Sequence, residues 1–138
     1  MKIKSSEEAV AKVLGAVVWA DGVFDEAEKI TCEEIAEAFE FDATKFENMV
    51  EKSFAEVENL DEEKLNDYLL NASVELDEDD IDYVFEAALE IALTDGVLQI
   101  EEVENLMSIA SALGVDDGRA IIMLCDKVKN EPEIEVKL

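Results

Sequence analysis

A nine-residue stretch of this chain has a counterpart later in the sequence. Ala20-Asp21-Gly22-Val23-Phe24-Asp25-Glu26-Ala27-Glu28 returns as Thr94-Asp95-Gly96-Val97-Leu98-Gln99-Ile100-Glu101-Glu102, with the Asp-Gly-Val start and the closing Glu kept. The two aspartates stand 95 − 21 = 74 residues apart, and the offset holds without a gap as far as Asp42 and Asp116. Along it Ile35 matches Ile109, Ala36 matches Ala110 and Ala38 matches Ala112, while Phe24/Leu98, Phe39/Leu113 and Phe41/Val115 stay apolar. A constant offset with matched apolar positions marks a duplicated helix-loop-helix unit. Two such units can pack about a pseudo-twofold axis, which places two carboxylate-bearing turns in symmetric positions. A functional site is expected there first.

The rest of the chain supplies the helices. Ser5 or Ser6 caps a first helix with the stripe Val10, Val13, Leu14, Val17 and Val18, ending near Asp21-Gly22. Asp25 stands three residues before Glu28, the spacing of a capping box, and opens a second helix carrying Ile30, Ile35, Ala38 and Phe39. Asp42 or Thr44 opens a third with Phe46, Met49, Val50 and Phe54 inward, and Asp61 a fourth with Leu65, Tyr68, Leu69 and Leu70. Asp77 to Asp80 load the start of a fifth helix, where the helix dipole favours negative charge, so that run reads as a cap. The fifth uses Ile81, Val84, Phe85, Ala88, Leu89 and Ala92 and ends at Asp95-Gly96, as the first ended at Asp21-Gly22. A sixth spans Ile100 to Leu113, stopped by Gly114, and a seventh spans Asp117 to Lys129 with Ile121, Ile122, Leu124 and Val128. Residues 131–138 form a loose tail or lie on the surface, and no stretch reads as a convincing strand. The expectation is one all-α domain over residues 1–138, about seven helices in a bundle-like packing built on the internal repeat.

Charge and missing residue types narrow the function. Eleven Lys and Arg face 37 Asp and Glu, a formal charge of −26, which opposes phosphate backbones and anionic membrane surfaces. Nucleic acid is therefore excluded as a partner, whereas basic protein surfaces and divalent cations are attracted. The chain has no His, which removes the usual general base and imidazole ligation. Cys32 and Cys125 are lone cysteines in apolar helical patterns, read as small core residues. The N-terminus lacks the apolar core of a signal peptide and no apolar run reaches transmembrane length, so a soluble, cytoplasmic protein without direct membrane insertion is expected. No Ser/His/Asp set, Gly-rich phosphate loop or Walker-type Lys is present, and Trp19 reads as core rather than as a sugar platform, which argues against an enzyme.

The two turns have a double reading. Each has the Asp, Gly, apolar residue and Glu of the second half of an EF-hand loop, but the upstream ligand positions fall on Val17 and Trp19 and on Ile91 and Leu93, which cannot bind a hard cation. Pooled across the repeat, Asp21, Glu28, Asp95 and Glu102 offer four carboxylates suited to calcium or magnesium. The competing reading makes each Asp a turn cap, each Gly a source of positive φ, and each Glu an arm reaching back to a helix N-terminus. Asp25 has Gln99 as its counterpart, so it reads as a cap rather than a symmetric ligand.

From about Glu8 to Lys129 the chain resembles the TerB-like family of tellurite-resistance-associated helical domains, related to the domain ahead of the J domain in some membrane-anchored DnaJ-type co-chaperones. The carriers are Ala20-Asp21-Gly22 with Glu28, the long acidic middle, and Thr94-Asp95-Gly96 with Glu102 followed by Ser111-Ala112-Leu113-Gly114-Val115. The resemblance implies seven helices in overlapping four-helix bundles, a metal site of paired acids that maps onto Asp21, Glu28, Asp95 and Glu102, and stress-response partners such as TerC-like and TerD-like proteins. The chain departs from that pattern in its extreme acidity and in Gln99. The expectation is a non-enzymatic stress-response protein that binds a divalent cation through the paired turns and engages protein partners. The alternative is an acidic adaptor that docks a basic partner and has no metal site.

Overall fold

In the computed structural model, residues 2–21 and 24–137 are described, without the side chain of Asp21. Among them are seven α-helices: α1 Glu7–Asp21, α2 Glu26–Ala38, α3 Ala43–Val57, α4 Glu62–Val74, α5 Ile81–Ala92, α6 Ile100–Leu113 and α7 Asp117–Asn130. The protein is all-α and bundle-like. Local chemistry sets the helix starts: the carboxylates of Asp25, Asp42 and Asp61 accept from the N–H of Glu28, Lys45 and Lys64 at 2.9, 2.9 and 2.8 Å. Asp42, not Thr44, therefore opens α3. A 3₁₀ turn, Glu78–Asp80, precedes α5 and is capped by Asp77, whose Oδ1 accepts from Asp79 N at 2.9 Å.

The duplication reaches further than its sequence identity. The 74-residue offset relates the starts of α1 and α5, of α2 and α6, and of α3 and α7, so each repeat is three helices and α4 is the unpaired connector. Even the helix ends agree. Phe41 N bonds to Ala36 O and Val115 N to Ala110 O, both at 2.8 Å, and the residues between, Glu40 and Gly114, have φ of 61° and 82°. This is the Schellman arrangement, and only Gly adopts it without a steric penalty. Gly114→Ala is accordingly expected to lower stability by about 1 kcal/mol. Urea unfolding checks this, since a Cβ at Gly114 meets open space and strain is the sole cost.

The core runs along α1 and α5. Ala9, Val10, Ala11, Val13, Leu14, Ala16, Val17 and Val18 are all buried, so α1 is covered on nearly every side, beyond the single stripe expected. α5 buries Val84, Phe85, Ala87, Ala88, Leu89, Ile91 and Ala92. The two helices run side by side in the same direction. At their starts Lys4 N, Ser5 N and Ser5 Oγ donate to Asp80 Oδ2 at 2.9, 2.7 and 2.7 Å. At their ends Val17, Ala20 and Ala92 line one small cavity.

The symmetry is broken where helices approach. A Cβ on Gly15 would lie 2.3 Å from Ser53 Oγ and 2.4 Å from Ser53 Cβ, so α1 and α3 are in backbone-close contact there. Leu89 occupies the place of Gly15 in the second repeat, and α5 packs far less extensively on α7. This corrects several inward assignments. Ile121 and Ile122 of α7 are exposed because that helix seats only Ala120 and Leu124 deeply, and Cys125 faces out for the same reason. Ile30 and Leu70 also face solvent, each beside the inward stripe of its helix.

Two short strands were not expected. β1 (Val97–Gln99) and β2 (Glu135–Lys137) pair in parallel, Val97 with Glu135 and Gln99 with Lys137. Glu135 N also donates to Gly96 O at 2.8 Å. The tail thus lies on the surface as a strand of exposed residues beside the second Asp-Gly turn. Three-residue strands carry too little alternation to be read from sequence.

Candidate functional site

Each turn follows from a helix that stops and a helix that starts. The first lies between α1 and α2, where Gly22 and Val23 and the side chain of Asp21 are outside the described residues. The second is described in full. Asp95 is exposed, and its Oδ1 accepts from Val97 N at 3.0 Å, closing the turn with its own side chain. Gly96 has φ of 76°, the left-handed conformation that favours glycine.

The two glutamates behave alike. Glu28 Oε1 accepts from Asp25 N at 3.4 Å while Glu28 N donates to Asp25 Oδ1, a complete capping box. At the related position Glu102 Oε1 accepts from Gln99 N at 3.3 Å. Gln99, which breaks the acidic symmetry, therefore stands at the same helix-start position as Asp25. In both glutamates the second oxygen, Oε2, is removed from solvent, and Glu28 as a whole is 2% exposed.

Packing brings the turns to one end of the molecule in a crossed arrangement. Glu102 of the second repeat lines a cavity of about 10 Å³ with Val17 and Ala20 at the end of α1, together with Ala92, Asn105 and Leu106. That is room for about one water molecule. Thr31 of the first repeat meets Thr94 at the end of α5, with the hydroxyls 3.3 Å apart. Among the described residues no three Asp, Glu or Cys side chains gather closely enough to hold one metal ion. Glu28, Asp95 and Glu102 are thus brought to the same end without forming a three-ligand set by themselves, and the side chain of Asp21 lies outside the described residues.

The acidic run at the start of α5 has a different role. Besides the three bonds to its Oδ2, Asp80 is 4% exposed, and Ser5 Oγ in turn accepts from Asp77 N at 2.9 Å. These residues tie the N-terminal segment to the second repeat. The neighbouring Lys4–Asp79 pair is exposed; it raises the lysine and lowers the carboxyl through their hydrogen bond first and charge attraction second.

The thiols differ sharply. Burial pushes the Cys32 thiol up to about 12, and the carboxylates of Glu28 and Glu47 add to the shift, so it stays protonated and inert. Cys125 is exposed. In the native protein one thiol per chain is expected to react quickly with a disulfide reagent, and two after denaturation. A Cys125→Ser variant that still reacts at the native rate would contradict this.

A second feature was not found in the sequence. Between α2 and α5 runs an open groove of 210 Å³, floored by Ile35, Ala38, Phe39 and Ala87, with Glu34, Glu86 and Glu90 on its rim and Tyr83 at one end. No sequence signal marks it: the matched positions Ala38 and Ala112 carry the same residue, yet the first is exposed and the second buried.

Fold and turns together define an internally duplicated, strongly acidic seven-helix bundle. Compared with known proteins, the chain finds no match among protein-family models, curated proteins or solved structures.

Proposed function

We propose that this is a non-enzymatic, TerB-like helical module that works by docking a protein partner with a basic surface. The observation that carries the reading is the division of labour among the carboxylates. Glu28, Asp95 and Glu102 serve helix starts and a turn, Asp80 serves as a latch, and the large remainder of the acid faces solvent. With 37 acidic and 11 basic side chains, 26 carboxylates cannot be neutralised one-to-one from within the chain. Crowding is evident on α3, where partial desolvation and then Glu33 hold the Glu47 carboxyl above its ordinary range. Such a field speeds encounter with basic partners and repels polyanions.

The test is capture of partner proteins on the immobilised chain at about 0.05 M and about 0.5 M salt, since screening falls within a few ångströms at the higher value. Retention lost at high salt supports the reading. Specific capture that ignores ionic strength overturns it.

A second reading keeps the cation. The paired Oε2 atoms of Glu28 and Glu102, both hidden from solvent at symmetric positions, favour it. Asp21, Glu28, Asp95 and Glu102 would be the ligands, and calcium or magnesium would join the two turns and brace the ends of α1 and α5. Melting temperature in calcium against chelator tests it: a rise lost in Asp21→Asn/Asp95→Asn supports the site.

A further inference from the structure

We propose that the open groove between α2 and α5 receives an amphipathic helix of a basic protein partner, in the place that α4 fills in the other half of the molecule. The inference rests on the docking reading above and adds the surface and the shape of the ligand.

The internal symmetry supplies the argument. The 74-residue offset carries α5 onto α1 and α2 onto α6, so the α2/α5 groove has a counterpart between α6 and α1. That counterpart is covered. α4 packs on both α1 and α6, and its Leu65 and Leu69 line a cavity with Trp19, Asn105 and Ser108. On the covered side Ala112, Leu113, Ala9 and Val13 are at most 6% exposed. Their partners on the open side include Ala38, which is exposed, and Tyr83, which is 45% exposed. The same chain thus contains one helix-binding groove with its helix and a second one open.

The rim identifies the occupant. Glu34, Glu86 and Glu90 stand where the covered side has Ser108, Lys12 and Ala16, so the open groove alone carries three acids. Lys127 Nζ already reaches Glu90 at 3.0 Å, which demonstrates that an ammonium group fits that rim. The groove continues past Glu34 and Glu90 towards Thr31 and Thr94. From Tyr83 to Thr94 this is roughly 16 Å, three helical turns. A second copy of this chain is a poor occupant, because each copy carries −26 and α4 itself presents Glu62, Glu63 and Asp67. A helix with an apolar face and flanking Lys or Arg meets both floor and rim.

The test uses a fluorescent peptide with the α4 sequence, keeping Leu65, Tyr68, Leu69 and Ala72 and replacing Glu62, Glu63 and Asp67 by Lys, titrated into the full chain at physiological ionic strength. Saturable binding is expected, with amide resonance shifts at Ile35, Ala38 and Ala87. Affinity should fall at least about tenfold in Ala38→Trp and in Glu34→Lys/Glu86→Lys, each keeping the wild-type thermal transition. Binding that both variants leave unchanged, or shifts confined to another face, overturns the groove and leaves the docking reading intact. Absence of binding overturns the helical ligand, and the salt-dependent capture above then decides the docking reading by itself. A homodimer dissociated by Ala38→Trp would replace the proposed partner with a second copy and so overturn the choice of occupant.

Discussion

Asp80→Ala is expected to destabilise the protein by about 3–5 kcal/mol, the largest effect of any single substitution considered. One oxygen of Asp80 accepts from two backbone N–H groups and one hydroxyl, all within 2.9 Å, at a site 4% exposed. Alanine would leave the two buried donors of Ser5 unsatisfied, each costing about 1–3 kcal/mol, and would take the acceptor from the part-buried Lys4 N–H, which water can reach. The segment they hold carries Ile3, which is 7% exposed and part of the core. Asp80→Asn retains an acceptor oxygen but loses the charge, so about 1–2 kcal/mol is expected. Urea unfolding with an unchanged slope measures both. Equal losses for Asn and Ala would mean that the charge, not the acceptor geometry, holds the N-terminus.

Gly15→Val is expected to cost about 3 kcal/mol, and Gly15→Ala about 2, although either residue is a better helix former than glycine. The added Cβ lands on Ser53 at 2.3 Å and comes within 3.0 Å of Phe54 N, so α1 and α3 must separate. Separation also disturbs Ser53, whose hydroxyl donates to Lys12 O at 3.1 Å and lies 2.9 Å from the Tyr68 hydroxyl of α4. Three helices are therefore affected by one methyl group. Ser53→Gly removes the clash but also the hydroxyl, so the double variant should recover part of the loss, seen as a favourable coupling in a double-mutant cycle. Strict additivity would place the clash elsewhere. The related position, Leu89, tolerates bulk because α5 and α7 are not in such close contact.

What was legible in the sequence is what local chemistry decides. Asp25, Asp42 and Asp61 announce helix starts because a cap is satisfied within three residues of itself. The bounds of α6 followed from Gly114 at one end and the repeat at the other. The Asp25 and Glu28 spacing likewise gave the capping box, and the repeat carried Glu102 to the same helix-start position. Less legible were features that depend on what lies opposite. Ile121 and Ile122 look like core in a helical pattern and are exposed because α7 packs only lightly on α5 and α6. The Asp80 latch joins groups 75 and 76 residues apart, and the β1–β2 pairing is equally remote in sequence. The open groove was hidden because Ala38 and Ala112 are the same residue type, and only the position of α4 makes one exposed and the other buried.

The central claim is that the paired turns are structural and that function resides on the acidic surface. Calorimetric titration of calcium into the wild type and into Asp21→Asn/Asp95→Asn, at physiological ionic strength, tests it most directly. The account predicts the same weak, non-saturating heat from both proteins, the response of a diffuse acidic surface under screening. Saturable binding in the wild type that disappears in the variant would contradict it and make the two Asp-Gly turns a cation site.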